Sequence, residues 1–473
     1  MSSFSRKRQL QLSILFFVML VLGYGLYTFK PAAASMTAPF RAWASRDIVR
    51  VEMEGLVLGD PFDAPLSKTD ILPWISAALI KRYEAIGAPV SLPHCPLDVA
   101  RYTTITFVPP LVHDTKQRVS VAINLRNSQD ILPSLSLALL TTVYHLERSN
   151  RVYISIFESD STDRTRPMLS ELAAALVALN VHGLTIRSPL ALSSTFPKAD
   201  RIVVLATLRN EALSPLLPTA ADGTVLFVND VVTCGSDLLE LVHQLRLQNA
   251  HAVMGTDWWV RDDEPPQALF RDIWVARGIN GELPYKVSRD SGYSTEAPTG
   301  NWVRDAFLTQ DEDVQARWLN GRPFPVYSGW NGAIAFSASL FTQRHVRFRA
   351  SGKAGWKGGD IAGSLGKWGQ LVANPGYLDA DCAGSECSLV ARDIWNLLEG
   401  RARFALAPQA RTAYSLQDWW KVDATVPPVR RTGYDGANDE LVDWANVTMP
   451  ASVVCVPYIL TNGSRVSLLC LLT

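Results

Sequence analysis

The sequence has no excess of charge of either sign, because Lys plus Arg and Asp plus Glu each number 45. Proteins that bind a phosphate backbone carry a basic excess, so nucleic acid is not an expected partner. The chain also lacks the phosphate loop Gly-x-x-x-x-Gly-Lys, the zinc motif His-Glu-x-x-His and the hydrolase elbow Gly-x-Ser-x-Gly. These absences exclude the commonest nucleotide hydrolases, zinc proteases and serine hydrolases.

Cysteine and histidine are both scarce. The 7 histidines form no ligand cluster, and the 6 cysteines include no Cys-x-x-Cys pair that would indicate zinc. Six cysteines instead fit an oxidising compartment. Cys382/Cys387 and Cys455/Cys470 are the first candidate disulfides, although spacing alone cannot determine connectivity.

One long apolar run stands near the N-terminus, from Leu10 to Phe29. At about 1.5 Å per residue it spans roughly 30 Å, enough to cross a bilayer. Arg6, Lys7 and Arg8 precede it, so the positive-inside rule places everything after it in the lumen or outside the cell. A cleaved signal peptide is the alternative, because Ala32-Ala33-Ala34 resembles a cleavage site. The length of the run favours an uncleaved anchor.

The chain has 473 residues, which suits one large catalytic domain with appendages or two smaller domains. We predict a tail (1–9), an anchor (10–29), a stem and lead-in region (30–115), a catalytic domain (116–418) and a C-terminal extension (419–473). Two sequons begin at Asn446 and Asn462 and fit a lumenal location as glycosylation sites. The composition assigns no role to the extension.

From residue 119 onward, apolar strands alternate with amphipathic helices. Strands are predicted at Val119–Leu125, Arg151–Phe157, His182–Ile186, Thr224–Val228 and Ala250–Met254, and helices at Ile131–Leu146, Met168–Leu179 and Asp237–Leu247. This alternation indicates an α/β fold with a mainly parallel sheet covered by helices on both faces. After Asp257 the pattern loosens into segments rich in Trp, Gly and Pro, which we expect to form loops around a site at the strand ends.

Two polar turns follow predicted strands. Glu158 to Thr165 (Glu-Ser-Asp-Ser-Thr-Asp-Arg-Thr) precedes a helix, and its carboxylates could accept hydrogen bonds from a ribose or a base. A simple helix-capping turn is the alternative. The candidate donor-binding residues are Asn124, Glu158, Asp160, Asp163 and Asn229.

The second turn is Asn229-Asp230, which ends the strand Thr224–Val228. Oxygen ligands at a sheet edge suit Mg²⁺ or Mn²⁺, and such an ion could bridge the phosphates of a sugar nucleotide. Asp230 is the candidate metal ligand. Taken alone, an Asn-Asp pair is usually only a turn.

Tryptophans beside acids form a further set. A carboxylate can bind sugar hydroxyls while an indole packs on the apolar face of the ring, although each Trp could equally belong to the core. The candidate acceptor-binding residues are Trp258, Asp272, Trp330 and Asn331. Asp257, Glu386 and Arg277 are the candidate catalytic residues.

Read in order, these segments resemble the fungal capsule-associated α-1,3-mannosyltransferase family, glycosyltransferase family 69. The resemblance covers about residues 115–415 and includes Glu158 to Asp163, Phe227 to Val231, Asp272 to Arg277, Trp330-Asn331-Gly332, Phe348-Arg349, Ser385-Glu386-Cys387 and Ala413-Tyr414-Ser415. It departs from the family pattern at Gly329 and Ser388, where similar proteins often carry Cys. Asn-Asp also replaces a plain Asp-x-Asp, which leaves Asp230 as the charged ligand.

The resemblance implies a GT-A fold, a GDP-mannose donor, Mn²⁺ or Mg²⁺, a type II anchor in the Golgi membrane and α-1,3 transfer of mannose to a mannose-containing glycan. Two alternatives remain open. One is a GT-A transferase with a UDP-sugar donor, and the other is a catalytically silent lumenal glycan-binding or assembly protein.

Overall fold

The computed structural model describes residues 49–53, 60–62, 71–106, 118–147, 152–188, 201–261, 267–272, 274–284, 312–350, 384–425, 439–451 and 453. The predicted anchor (10–29), Asn462 and three cysteines (Cys382, Cys455 and Cys470) lie outside these ranges. Within these ranges, no helix combines the length and the apolar character needed to cross a membrane. Residues 48–473 form one compact unit.

Strands and helices alternate through the first half of this unit. The described strands are β1 (Val49–Met53), β2 (Val119–Leu125), β3 (Val152–Glu158), β4 (Gly183–Ser188), β5 (Thr224–Val228), β6 (Ala252–Arg261), β7 (Gln267–Phe270), β8 (Arg277–Gly278), β9 (Phe324–Ser328), β10 (Ala333–Ser337) and β11 (Phe404–Ala413). The described α-helices are α1 (Ile71–Ala85), α2 (Thr103–Thr106), α3 (Leu132–Glu147), α4 (Thr165–Ala178), α5 (Arg201–Leu213), α6 (Leu217–Ala220), α7 (Gly235–Leu247), α8 (Glu312–Leu319), α9 (Ser339–Thr342), α10 (Glu386–Leu397) and α11 (Leu416–Thr425).

The strands form one mixed sheet in the order β1-β4-β3-β2-β5-β10-β6-β11-β9-β8, with β7 paired to β6. Strands β1 to β5 run parallel to one another, and β6 runs parallel to β11. Because β10 is antiparallel to both β5 and β6, those two strands point the same way. The carboxyl ends of β2 to β6 and of β11 therefore meet at one edge of the sheet.

The predicted α/β alternation is confirmed, but the sheet is mixed rather than mainly parallel. The predicted strands Val119–Leu125 and Thr224–Val228 have the same bounds in the structure as β2 and β5. The correction lies beyond β6, where β7, β9 and β10 join the sheet as antiparallel strands. Antiparallel neighbours need no helical crossover, so these short strands lack the strand–helix periodicity that revealed the first half.

Apolar side chains cover both faces of the sheet. All five residues of β5 are buried, and successive residues point into opposite clusters. Phe227 packs in one cluster with residues of α5 and α10, and Val228 packs in the other with residues of α3 and α7. Burial on both faces explains why β5 reads as a continuous apolar run.

A disulfide joins Cys95 to Cys234, directly before α7, with 5.4 Å between the Cα atoms. Neither cysteine was in a predicted pair, because their separation of 139 residues leaves no local signal. The predicted Cys382/Cys387 pair is wrong, since Cys387 carries a free, buried thiol at the start of α10. The predicted Cys455/Cys470 pair lies outside the described residues.

The C-terminal extension includes a segment, residues 439–449, that we call the C-terminal strap. Asp439 lies 3.3 Å from Arg101 and 3.2 Å from His243 on α7, and Glu440 pairs with Arg317 on α8 at 2.9 Å. The indole of Trp444 donates to the Gln248 carbonyl at 2.7 Å. The strap therefore connects α7, α8 and the turn that holds Arg101.

Replacing Arg101 with Met is expected to lower the free energy of unfolding by about 3–5 kcal/mol, because Arg101 neutralises a buried carboxylate. Its guanidinium donates to both oxygens of Glu240 at 2.7 and 2.6 Å, and the two side chains are 8% and 4% exposed. Arg322→Ala is the matched control, since Arg322 pairs with the same strap through Glu440 but both side chains are partly exposed. Its expected cost is at most about 1 kcal/mol. Urea denaturation measures both, and equal costs would contradict this account.

Candidate active site

The candidate site lies at the shared carboxyl edge of the sheet. Asn229-Asp230 follows β5, Asp257 lies in β6, and Tyr414 follows β11. The register places Thr412 of β11 opposite Asp257. Two backbone hydrogen bonds between Val232 and Ala413 then fasten the turn after β5 to the end of β11. Segments far apart in the sequence thus converge at the position where ligands bind in open α/β sheets.

The Asn229 amide is fully engaged by protein groups. Its Oδ1 accepts from Arg209 Nη1 at 3.0 Å and from Trp330 Nε1 at 3.1 Å. Its Nδ2 donates to the Tyr414 hydroxyl at 3.1 Å, and its backbone N–H donates to the Gly332 carbonyl at 2.8 Å. Asn229, predicted as a donor-binding residue, therefore orients the turn that carries Asp230.

Asp230 is half-buried at this edge. Burial raises its pKa from the usual value near 3.8 to about 6, although a backbone hydrogen bond and the cations Arg209 and Arg271 act in the opposite direction. The carboxylate is thus mainly charged at neutral pH but incompletely solvated. A carboxylate in this state gains from a positively charged ligand.

Asp257 lies deeper, with 3% of its surface exposed. Its Oδ1 is buried and has no hydrogen-bond partner within the described part of the chain. Burial raises the pKa of Asp257 well above its usual range, and the nearby Asp272 and Asp418 raise it further while Arg271 lowers it. A carboxyl group that resists ionisation is unsuited to act as a charged nucleophile, although it can exchange hydrogen bonds with a ligand.

Arg271 is the exposed cation of the site. Its guanidinium lies 3.9 Å from the centre of the Tyr414 ring, and its backbone N–H donates to the Asp257 carbonyl at 2.8 Å. The sequence analysis gave Arg271 no role. Its neighbours in space, Tyr414 and Asp230, come from other strands, so no local pattern marked it.

Arg209 is the other functional residue that sequence reasoning missed, because helix α5 was not predicted. Its Nε donates to Glu386 Oε1 at 2.8 Å, and its guanidinium lies 4.1 Å from the Trp330 ring centre. Glu386 is 1% exposed, so this predicted catalytic residue forms a buried ion pair. A charged residue in the apolar stretch Arg201 to Leu213 was the available signal.

The acidic turn after β3 is built mainly from internal contacts. Glu158 is fully buried, and its two oxygens accept from the Ser161 backbone at 2.5 Å and from the Ser188 hydroxyl. Its predicted direct contact with a donor stays a prediction, since both of its oxygens bind protein groups in this structure. Asp163 accepts from the backbone N–H groups of Gln129 at 3.1 Å and Thr165 at 2.9 Å, which makes it a helix-capping group.

Two other predicted donor-binding residues flank this turn. Asn124 donates to the Leu208 carbonyl at 2.8 Å, so it ties β2 to α5. Its Oδ1 is buried without a hydrogen-bond partner among the described residues. Asp160 is half-buried with a φ of 58°, which places it at the bend of the turn. A donor-binding role for Asp160 stays a prediction.

The two tryptophans predicted to bind an acceptor belong to the core. Trp258 is 3% exposed, donates to the Thr256 hydroxyl at 2.8 Å and stacks on Trp318. Trp330 is also 3% exposed, and Arg209 covers its ring. Both indoles are buried in this structure, and a role for either of them in binding a sugar stays a prediction.

Asp272 and Asn331 hold the loops around the site through hydrogen bonds, although Asn331 Oδ1 is buried without a hydrogen-bond partner among the described residues. Asp272 accepts from the backbone N–H groups of Val275 and Asn331, each at 3.1 Å. Asn331 is fully buried and donates to the Gly255 carbonyl at 2.6 Å. Gly332 then adopts a φ of +75°, and a Cβ there would lie 2.5 Å from the Thr412 hydroxyl. The predicted contacts of Asp272 and Asn331 with an acceptor stay predictions.

Arg277, predicted to stabilise leaving-group charge, is buried and donates to the carbonyls of Ala276 at 2.6 Å and Trp274 at 3.4 Å. These bonds hold the loop before β8. The positively charged groups nearest Asp230 are instead Arg209 and Arg271, both of which influence its pKa.

The residues present fit a divalent cation that a donor diphosphate helps to hold. The described residues contain no group of three His, Cys, Asp or Glu side chains placed to bind a metal by themselves. Asp230 is a charged carboxylate, and Asp257 supplies a buried oxygen without a hydrogen-bond partner. Mg²⁺ commonly binds through one or two carboxylates and substrate phosphates, so this donor set is compatible with it.

Comparison with known proteins gives three findings. The family model described as "Cryptococcal mannosyltransferase 1" matches residues 118–393. Alpha-1,3-mannosyltransferase CMT1 of Cryptococcus neoformans var. neoformans serotype D (strain JEC21 / ATCC MYA-565) is 28% identical over 374 residues, covering 75% of this chain and 71% of that protein. The third finding is a remote structural likeness to solved proteins, of which two are described next.

The first is S. aureus TarS 1-349, with 15% identity, a TM-score of 0.32 and coverage of 64% of this chain and 63% of that one. The second is the mannosyltransferase PcManGT from Pyrobaculum calidifontis in complex with GDP-Man and Mn²⁺, with 15% identity, a TM-score of 0.32 and coverage of 72% and 68%. Likenesses this remote say nothing about individual residues.

Proposed function

This chain belongs to the cryptococcal mannosyltransferase 1 family and is a glycosyltransferase, and we propose that it transfers mannose from GDP-mannose to a mannose-containing glycan in α-1,3 linkage. The observation that carries the proposal is the carboxyl edge of the sheet. There Asp230, Asp257 and Arg271 converge around Tyr414, beside the buried Arg209–Glu386 pair. The site thus combines carboxylates that can bind a metal ion with arginines that can bind a diphosphate.

We propose that Asp230, with the buried oxygen of Asp257, holds Mn²⁺ or Mg²⁺ together with the donor phosphates. Such an ion would supply positive charge that offsets the charge of the departing diphosphate. Asn229 keeps the Asp230 turn in place through its bonds to Arg209, Trp330 and Tyr414. Arg271 supplies an exposed positive charge beside the same carboxylates.

An α-linked product from an α-linked donor retains configuration. In the proposed front-face transfer the bond between the mannose anomeric carbon and the diphosphate oxygen breaks, and its electron pair leaves with the diphosphate. The acceptor hydroxyl oxygen bonds to that carbon on the same face and gives its proton to the departing diphosphate. Arg271 stabilises the charge that develops on the leaving group. Because front-face transfer forms no covalent intermediate, Asp257 is assigned the orientation of groups at the site.

We also propose a type II protein of the Golgi membrane with its catalytic domain in the lumen. The support is the apolar run Leu10 to Phe29 with basic residues before it. The Cys95–Cys234 disulfide fits an oxidising compartment. Asn446, the predicted glycosylation site within the described residues, is exposed on the strap.

A donor panel tests the proposal. The purified full-length chain is offered GDP-mannose, UDP-glucose, UDP-xylose and UDP-galactose with an α-linked mannobiose acceptor and Mn²⁺. We expect product only from GDP-mannose, with a new α-1,3 linkage by NMR and with EDTA abolishing turnover. Turnover of UDP-sugars without GDP-mannose would favour the alternative donor class. Absence of both donor hydrolysis and metal-dependent nucleotide binding would favour the catalytically silent protein.

A further inference from the structure

Trp274 differs from the tryptophans that sequence reasoning assigned to the acceptor. Trp258 and Trp330 are each 3% exposed, whereas Trp274 is 44% exposed. It lies between Asp272 and β8, and Asp272 accepts a hydrogen bond from the Asn331 backbone beside the candidate site. An indole exposed to this extent offers an apolar face that a ligand can cover.

The backbone that carries Trp274 is firmly held. Its carbonyl accepts from Arg277 Nη2 at 3.4 Å and from the Ser388 hydroxyl at 3.5 Å. The next residue, Val275, donates its backbone N–H to Asp272 at 3.1 Å, and its carbonyl accepts from the Ser328 hydroxyl. Two of these bonds reach other segments, β9 through Ser328 and α10 through Ser388, and they hold the backbone of Trp274 and Val275 in place. An indole on such a loop is preorganised for a partner, which lowers the entropy cost of binding.

The same bonds connect Trp274 to the reacting end of the site. Asp272 accepts from the Asn331 backbone at 3.1 Å, and the adjacent Trp330 donates to Asn229 beside Asp230. Ser388, which bonds to the Trp274 carbonyl, is two residues from Glu386 in α10. Trp274 thus stands on the side of the site formed by the β7–β8 loop and the start of α10. The acidic turn after β3 lies across the sheet, beyond β2 and β5.

We propose that Trp274 is the platform on which the acceptor sugar stacks, and that it determines the affinity for the acceptor. This inference rests on the proposed mannosyl transfer. A pyranose ring has an apolar face of C–H groups that covers an indole, while its hydroxyls remain free for hydrogen bonds and reaction. Arg277, Asp272 and Ser388 act as positioning residues for this platform.

The test compares Trp274→Ala with Trp274→Phe and with Trp420→Ala in the full-length chain. Trp420 on α11 is the matched control, since it is a comparably exposed tryptophan at 47%. With α-1,3-mannobiose as the acceptor, Trp274→Ala should raise the acceptor KM about tenfold or more, which corresponds to roughly 1.4 kcal/mol of lost binding. The KM for GDP-mannose should change less than about twofold, because the platform touches only the acceptor. Trp274→Phe should recover most of the acceptor affinity, and Trp420→Ala should resemble the wild type.

Two results would overturn the inference while leaving mannosyl transfer intact. One is an unchanged acceptor KM in Trp274→Ala, which would assign the exposed indole to a surface for another protein or a membrane. The other is an equal rise in acceptor KM in Trp420→Ala, which would show that position does not matter. If the wild type does not transfer mannose at all, the proposed function itself fails and this inference fails with it.

Discussion

Asp230→Asn is expected to lower kcat/KM for mannosyl transfer by about 100-fold or more, because it removes the charged ligand of the proposed metal ion. Without that ion, the negative charge on the departing diphosphate is not offset. The substitution keeps the size of the side chain, and Asn229 continues to hold the turn through Arg209, Trp330 and Tyr414. Activity measured over a Mn²⁺ titration should show strong stimulation of the wild type and little response in the variant.

Asp222→Asn is the matched control, because Asp222 is an exposed acid just before the amino end of the same strand, β5. It should keep the metal response of the wild type. Full metal-stimulated activity in Asp230→Asn would remove Asp230 from the metal site.

The elevated pKa of Asp230 allows a stability measurement to distinguish loss of the metal ligand from disruption of the fold in Asp230→Asn. The pKa in the folded chain is about 6, above the usual 3.8, so the folded state binds the proton more tightly than the unfolded state. The charged carboxylate therefore reduces stability as pH rises from about 4 to about 6. Asp230→Asn removes that cost and should be at least as stable as the wild type at neutral pH. In the wild type, metal-dependent activity should decline as pH falls through about 6, as protons compete with the ion.

Arg209→Met is expected to lower the free energy of unfolding by about 3–5 kcal/mol and to impair transfer, because it leaves Glu386 as an uncompensated buried charge. Arg209 is 8% exposed and Glu386 1%. The same change removes one of the hydrogen bonds that orient Asn229. Urea denaturation and steady-state kinetics measure the two effects.

The double variant Arg209→Met/Glu386→Gln is the control that isolates charge. It should recover much of the stability, because no buried charge remains. It should recover little of the activity, because Asn229 still lacks the hydrogen bond from Arg209. If the single variant is as stable as the wild type, the buried pair is not a structural element. If the double variant regains full activity, Arg209 does not position Asn229.

The first half of the fold was readable in the sequence for a physical reason. Strands β2 and β5 are buried on both faces, so each is a continuous apolar run, and helices between parallel strands repeat an apolar stripe. Asn229-Asp230 was visible because polar residues abruptly end such a run. Helix α5 was missed although it lies in the same half, and with it the charge on Arg209 that pairs with Glu386.

The sequence by itself determined the α/β class, the polar edge at Asn229-Asp230 and, through its ordered motifs, the family. These properties depend on local periodicity and on the order of residues along the chain. Only the tertiary structure decided which side chains face the site. Glu158, Trp258, Trp330 and Asn331 are buried, whereas Arg209, Arg271 and Tyr414 come together at the site from three separate segments. Whether an indole meets solvent or core depends on packing between distant segments, so only the folded chain distinguishes Trp274 from Trp330.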